Sequence, residues 1–181
     1  MNNDGVINTS DRTDIGSPIA ASTMGFNMQF GYKNFDFVTY LFASIGNDMV
    51  RNYERSLTDV NRLDYVLDRW TGEGTSNSAP RVTTSATSNN VFSDYFVEDA
   101  SFLRIQNIQL GYSINPNHLT KAGITKFRVY MGVNNLYTFT EYKGYDPEIG
   151  MVNYGGTVMA GIDTGRYPSV RMYSFGLLAD F

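Results

Sequence analysis

The sequence predicts an all-β protein, an antiparallel transmembrane β-barrel segment of about five strands carrying long loops at one end. Three observations lead there. Five stretches alternate apolar residues with small polar ones, and a period of two places an oily face opposite a wet face on a strand. Aromatic residues make up 14% of the chain, with 13 Tyr, 12 Phe and 17 Gly, while charged residues are 18%, below the roughly 25% of soluble domains. Short and long connections also follow one another in a regular order, as they do in outer-membrane barrels.

Residues 1–22 read as a polar loop rich in Asn, Asp and Gly. The first strand follows, with Met24, Phe26, Met28, Phe30 and Tyr32 against Gly25, Asn27, Gln29 and Gly31. Lys33 and Asn34 form a tight reversal into a second strand, Phe35 to Ile45, in which both faces carry apolar residues. A long loop is expected over about 47–98, interrupted by one short helix over 59–70 with Val60, Leu63, Val66 and Leu67 on one side. Ser101 to Ile114 gives the third strand and 126–140 the fourth, joined by a turn that contains Pro116. A second long loop covers about 141–170, and Tyr173 to Phe181 is the last strand.

The polar face is built from Gly, Ser, Thr, Asn and Gln, whereas a soluble β-sandwich exposes Lys and Glu there. Each strand is close to the roughly 9–11 residues that cross a bilayer at a tilt. Taking Phe181 as periplasmic, every short turn falls on the periplasmic side and every long loop outside. Five strands do not close a membrane barrel, which needs at least about eight, so the sheet must be completed by further polypeptide. The formal net charge is −4 with no basic cluster, which argues against a nucleic-acid partner. With no Cys, disulfide and thiol chemistry are excluded.

Several segments carry a family resemblance. Ala100-Ser101-Phe102-Leu103-Arg104-Ile105-Gln106-Asn107-Ile108-Gln109-Leu110-Gly111-Tyr112 resembles the C-terminal region of SusC/RagA-type TonB-dependent transporters of the Bacteroidota. So do Arg128-Val129-Tyr130, Asn134-Asn135-Leu136-Tyr137-Thr138-Phe139-Thr140, Tyr142-Lys143-Gly144-Tyr145-Asp146-Pro147-Glu148, and Tyr167-Pro168-Ser169 onward to Phe181. The resemblance implies a barrel of about 22 strands around an N-terminal plug. It implies a SusD-like surface lipoprotein as lid, energy from TonB through an N-terminal region absent here, and import of oligosaccharides or peptides across the outer membrane. Membrane lipid would cover the apolar face. The alternative from another class is a structural or adhesive barrel without transport.

Candidate site residues follow from these readings. Asn2, Asp4, Val6 and Asp11 fit part of a calcium loop: hard oxygens at alternate positions with Gly5 at the bend. The simpler reading is an Asx-rich turn that needs no ion, and no cofactor is required. Tyr145, Asp146 and Glu148 lie in the second long loop, either as a structural turn or as substrate or lid contacts. Trp70, in the first long loop, is a candidate for stacking on a sugar or touching the lid. Arg104 and Arg128 fall within strands and are expected to face the lumen or a rim, because Arg at the lipid midplane costs roughly 2–4 kcal/mol. His118, the single His, lacks a partner for a triad or a metal site, and no nucleophile–base set occurs in the strands, so an enzyme is not expected. Tyr173, Phe175, Leu177 and Phe181 form a C-terminal pattern resembling a barrel-assembly signal.

Overall fold

The computed structural model describes residues 5, 9–53, 61–84, 89, 91–115, 119, 123–148, 151–154 and 157–181. Among the described residues ten strands occur in chain order: β1 (Ser22–Tyr32), β2 (Phe35–Ile45), β3 (Asp48–Arg51), β4 (Val97–Asp99), β5 (Phe102–Ile114), β6 (Lys126–Thr140), β7 (Met151–Tyr154), β8 (Thr157–Ala160), β9 (Ile162–Asp163) and β10 (Met172–Asp180). Five of them form one antiparallel sheet in the order β1-β2-β5-β6-β10. These are the five strands the alternation predicts, within a residue or so at each end. Among the described residues no helix is long and apolar enough to cross a membrane, which says nothing of crossing by strands.

Register gives the sheet one apolar and one polar face. Phe26 pairs with Leu41 and Phe30 with Phe37. Leu110 pairs with Met131, and Met131 with Phe175. Residues directly opposite one another share a face, so these side chains form a continuous outer layer, and Phe26, Phe30, Met131 and Phe175 are all well exposed. The reversal between β1 and β2 is closed by Lys33 in the left-handed region, with φ of 53°.

The polar face depends on glycine. A Cβ at Gly111 would collide with both Asp36 and Arg128, whose side chains form an ion pair across β5. Likewise Tyr130 lies over Gly176, and the Tyr40 hydroxyl lies over Gly25. These strands alternate Gly with bulk because large polar side chains reach over the missing side chain of a neighbouring strand.

One irregularity decides where Arg104 points. Tyr40 pairs with Asn107 and Leu41 with Ile105, leaving Gln106 as an extra residue in β5. Unbroken alternation from Tyr112, Leu110 and Ile108 would place Gln106 and Arg104 on the apolar face. The bulge reverses the phase, so Leu103 and Ile105 face out while Phe102 and Arg104 join Ser44 and Phe42 on the polar face. Opposite Gln106, Asn135 and Leu136 of β6 fall outside the register while β6 keeps its phase, and Asn135 takes a φ of 52°, a conformation Asn tolerates better than most residues.

The two long loops also carry regular structure. β3 pairs antiparallel with β4 and parallel with β9, making a small sheet above the end of the main one. Met49, Ala100 and Tyr142 form its buried core. The short helix expected over 59–70 is corrected: the described part is a 3-10 turn, Asp64–Asp68, with no side-chain cap on Leu63. Leu67 is 78% exposed and Leu63 38%, so much of the apolar side is left unpacked, and an isolated helix of this length is marginal on its own. The last strand ends at Asp180, paired with Lys126, and not at Phe181.

Candidate functional site

The described residues converge on one polar cluster at the loop end of the polar face. Arg104, delivered there by the bulge, is 3% exposed in its side chain. Its Nη2 donates to Asp146 Oδ1 at 2.5 Å and its Nη1 to Glu148 Oε2 at 2.7 Å. Its Nε donates to Thr138 Oγ1 of β6 at 2.9 Å. The guanidinium thus spends three nitrogens on one strand neighbour and two loop carboxylates, the fork geometry that distinguishes Arg from Lys.

Asp146 is saturated. Besides Arg104 it accepts the Glu148 N–H at 3.0 Å through Oδ1 and the Ser169 N–H at 2.8 Å through Oδ2. Burial works against its ionisation, but the N–H donors of Ser169 and Glu148 together with Arg104 outweigh it and hold the carboxyl below its ordinary value. Asp146 therefore ties the two ends of a loop to one strand residue. Pro147, locked in φ, separates the two acids and directs both toward Arg104.

A second tie lies alongside. The Tyr142 hydroxyl donates to Asp163 Oδ2 at 2.6 Å, and Asp163 is 1% exposed. Burial first, then the bond to Asp163, pushes the Tyr142 hydroxyl well above the ordinary phenol range. Asp163 also accepts the Gly165 N–H at 2.8 Å. Gly144 is required beside this pair, since a Cβ there would overlap the Tyr142 ring.

Between these ties and the N-terminal segment lies a cavity of about 330 Å³. Phe42 and Phe102 of the main sheet form one wall, Met49 and Pro18 another, and Glu148 and Asp48 reach its edge. Of the candidate residues named from the sequence, Glu148 is the one that borders it. Asp146 is committed to holding the loop. Tyr145 is exposed, with its ring 6.2 Å from that of Tyr53. Trp70 lies elsewhere in the first loop, where its backbone N–H donates to the Ala79 carbonyl at 2.9 Å. Asn2, Asp4, Val6 and His118 lie outside the described residues, and Asp11 closes a short 3-10 turn, Thr9–Asp11. Among the described residues no three His, Cys, Asp or Glu side chains gather as metal ligands. Nothing local in the sequence marks Thr138, Ser169, Tyr142 or Asp163 as members of this cluster. Gly144 is the one local signal, and it is explained by the Tyr142 ring placed over it in the fold.

No protein-family profile matches the chain. Curated proteins do. TonB-dependent receptor P3 of Formosa agariphila is 34% identical over 187 residues, a match covering all of this chain and 18% of that protein. TonB-dependent receptor SusC of Bacteroides thetaiotaomicron is 32% identical over 185 residues, covering 99% of this chain and 17% of SusC. Among solved structures, the RagAB peptide importer in its open-open state matches with a TM-score of 0.70 at 26% identity, over 88% of this chain and 17% of that one. Its closed-closed state gives a TM-score of 0.72, over 92% of this chain and 18% of that one.

The chain is a C-terminal segment of the SusC/RagA family of TonB-dependent receptors. It spans under a fifth of the length of the relatives it matches. The five-stranded sheet of this TonB-dependent receptor segment is therefore barrel wall, and the small sheet over its end belongs to the loops.

Proposed function

We propose that the full-length receptor imports oligosaccharides or peptides across the bacterial outer membrane, driven through TonB and working with a SusD-like lipoprotein. The observation that carries this is the match to TonB-dependent receptors along essentially the whole chain. The physics of the sheet supports a barrel in lipid. Its apolar face of Phe, Met, Leu and Tyr is exposed in the isolated segment, and within the described residues β1 and β10 each have one unpaired edge. Unpaired edges in hydrocarbon cost several kcal/mol per group, so the remaining four fifths of a receptor would close the sheet. In this reading the loops over 47–98 and 141–170 lie outside the cell, and Trp70 and Tyr145, both exposed, are available to the lid or the substrate.

The C-terminal strand has a role in the same reading. Tyr173, Phe175 and Leu177 share the apolar face of β10, and with Phe181, which is 86% exposed, they supply the signal for barrel assembly. A calcium ion held by Asn2, Asp4, Val6 and Asp11 would add a fixed point at the start of the segment.

Uptake of fluorescent oligosaccharides and peptides, with and without a protonophore, tests the import reading in cells expressing the full-length receptor. Energised accumulation that disappears with the receptor gene is expected. A full-length gene lacking a plug and a TonB-contacting segment would overturn import and leave an adhesive barrel.

A further inference from the structure

We propose that the cavity at the loop end of the polar face is a peptide-binding subsite, one that takes an apolar side chain next to a cationic group. This rests on the import reading and narrows it to a ligand class. At about 330 Å³ the cavity lies at the low end of small-ligand sites, with room for one large side chain and the backbone beside it. Its walls are mostly apolar, set by Phe42, Phe102, Met49, Pro18, Ile19 and Pro147.

The neutral polar side chains on the walls, Ser44 and Asn47, are already committed. Ser44 Oγ donates to Asn47 Oδ1 at 2.8 Å, and Asn47 Nδ2 donates to the Ala100 carbonyl at 3.3 Å. A hydroxyl-rich ligand would give up water against such walls and recover few hydrogen bonds, which is unfavourable for every hydroxyl left unpaired. What stays open is anionic: Glu148 and Asp48 both border the cavity, Asp48 accepting the Ser17 N–H through Oδ2 at 2.9 Å. Glu148 is bound to Arg104 through Oε2 and its side chain is 42% exposed, while among the described residues its Oε1 accepts no hydrogen bond. Arg104 stands behind this wall with its charge shared between Asp146 and Glu148. Those two acids and Asp48 outnumber it, so the edge of the cavity is negative. An ammonium or guanidinium placed there gains a charge-assisted hydrogen bond that a neutral ligand cannot make.

Isothermal titration of the full-length receptor in detergent tests this with three probes: a lysine–leucine hexapeptide, the same peptide with glutamate in place of lysine, and maltohexaose. Two variants are compared after their heat-modifiable gel bands confirm folding. Glu148→Gln removes the charge, and Ala20→Trp fills the cavity. The lysine–leucine peptide is expected to bind, to weaken about fivefold in Glu148→Gln, the size of a half-exposed ion pair, and to weaken further in Ala20→Trp. The glutamate peptide is expected to bind less tightly and to be indifferent to Glu148→Gln. Equal affinity for the two peptides, no response to either variant, no binding of the lysine–leucine peptide, or maltohexaose binding that Ala20→Trp abolishes would each overturn the subsite. Energised uptake is measured separately. Uptake that ignores both variants removes only the subsite, whereas absence of receptor-dependent uptake by the unmodified receptor removes the import reading itself.

Discussion

Arg104 donates to Asp146 at 2.5 Å from a strand position that unbroken alternation would have turned to the apolar face of the sheet. One inserted residue, Gln106, moves the cation from the apolar face to the polar one, where it anchors a loop. The pair is buried on both sides, so removing Arg104 leaves a buried carboxylate without its counter-charge, a loss of up to about 3–5 kcal/mol that the Glu148 and Ser169 N–H donors reduce. Arg104→Ala in the full-length receptor is expected to raise amide exchange across Tyr142 to Glu148 and at Ser169 while exchange in β5 and β6 stays slow. Unchanged loop protection would show that Asp146 is held well enough by the backbone donors alone.

The same anchor has a pH signature. Asp146 has a folded-state value below its ordinary one, so its contribution to docking is present above the unfolded value of about 3.9. That contribution is lost only as pH falls through the lowered folded value. Loop protection should therefore hold from neutrality down to about pH 4 and decline below it, and Asp146→Asn should flatten the acid limb. Exchange or limited proteolysis against pH reads this directly.

Tyr142 behaves in the opposite sense. Its raised value means its contribution is intact below the ordinary phenol value of about 10 and is lost as pH rises through the folded value. Tyr142→Phe removes the donor to a carboxylate that is 1% exposed. It is expected to destabilise the small loop sheet by about 1–3 kcal/mol, seen as faster exchange at Asn52 and Gly165. An unaltered exchange rate there would count against this tie.

Gly111 is expected to be intolerant of any side chain. Gly111→Leu places bulk where the Asp36–Arg128 pair crosses β5, an overpacking of about 1–3 kcal/mol with an ion pair displaced as well. The full-length protein should lose its heat-modifiable folded band in part, and Asp36→Ala combined with Gly111→Leu should recover some of it.

The two faces of β1 separate barrel from sandwich. Phe26→Arg, on the apolar face, should cost roughly 2–4 kcal/mol in a bilayer, and Asn27→Arg, one residue on and facing the other way, close to nothing. Urea titration of the full-length receptor in lipid vesicles measures both. Equal costs would mean that the apolar face is not in contact with hydrocarbon.

The sequence alone determined the five strands, their order and the faces of those with unbroken alternation, because period-two alternation is a local property that shows within a window of ten residues. Met24 to Tyr32 and Tyr173 to Leu177 show it without ambiguity. The tight turn at Lys33 and Asn34 was legible for the same reason. What only the tertiary structure decided depends on partners far apart in the chain. The phase of Arg104 is set by how β5 aligns with β2, where Tyr40 is followed at once by Leu41 while β5 inserts Gln106. No residue type announces a bulge. The parallel pairing of β3 with β9 joins Val50 to Ile162, segments too short to show any period. Asp146 and Glu148 were visible as acids in a loop, but that one would be sealed by Ser169 and the other left at the edge of a cavity follows from where the loop lands on the sheet.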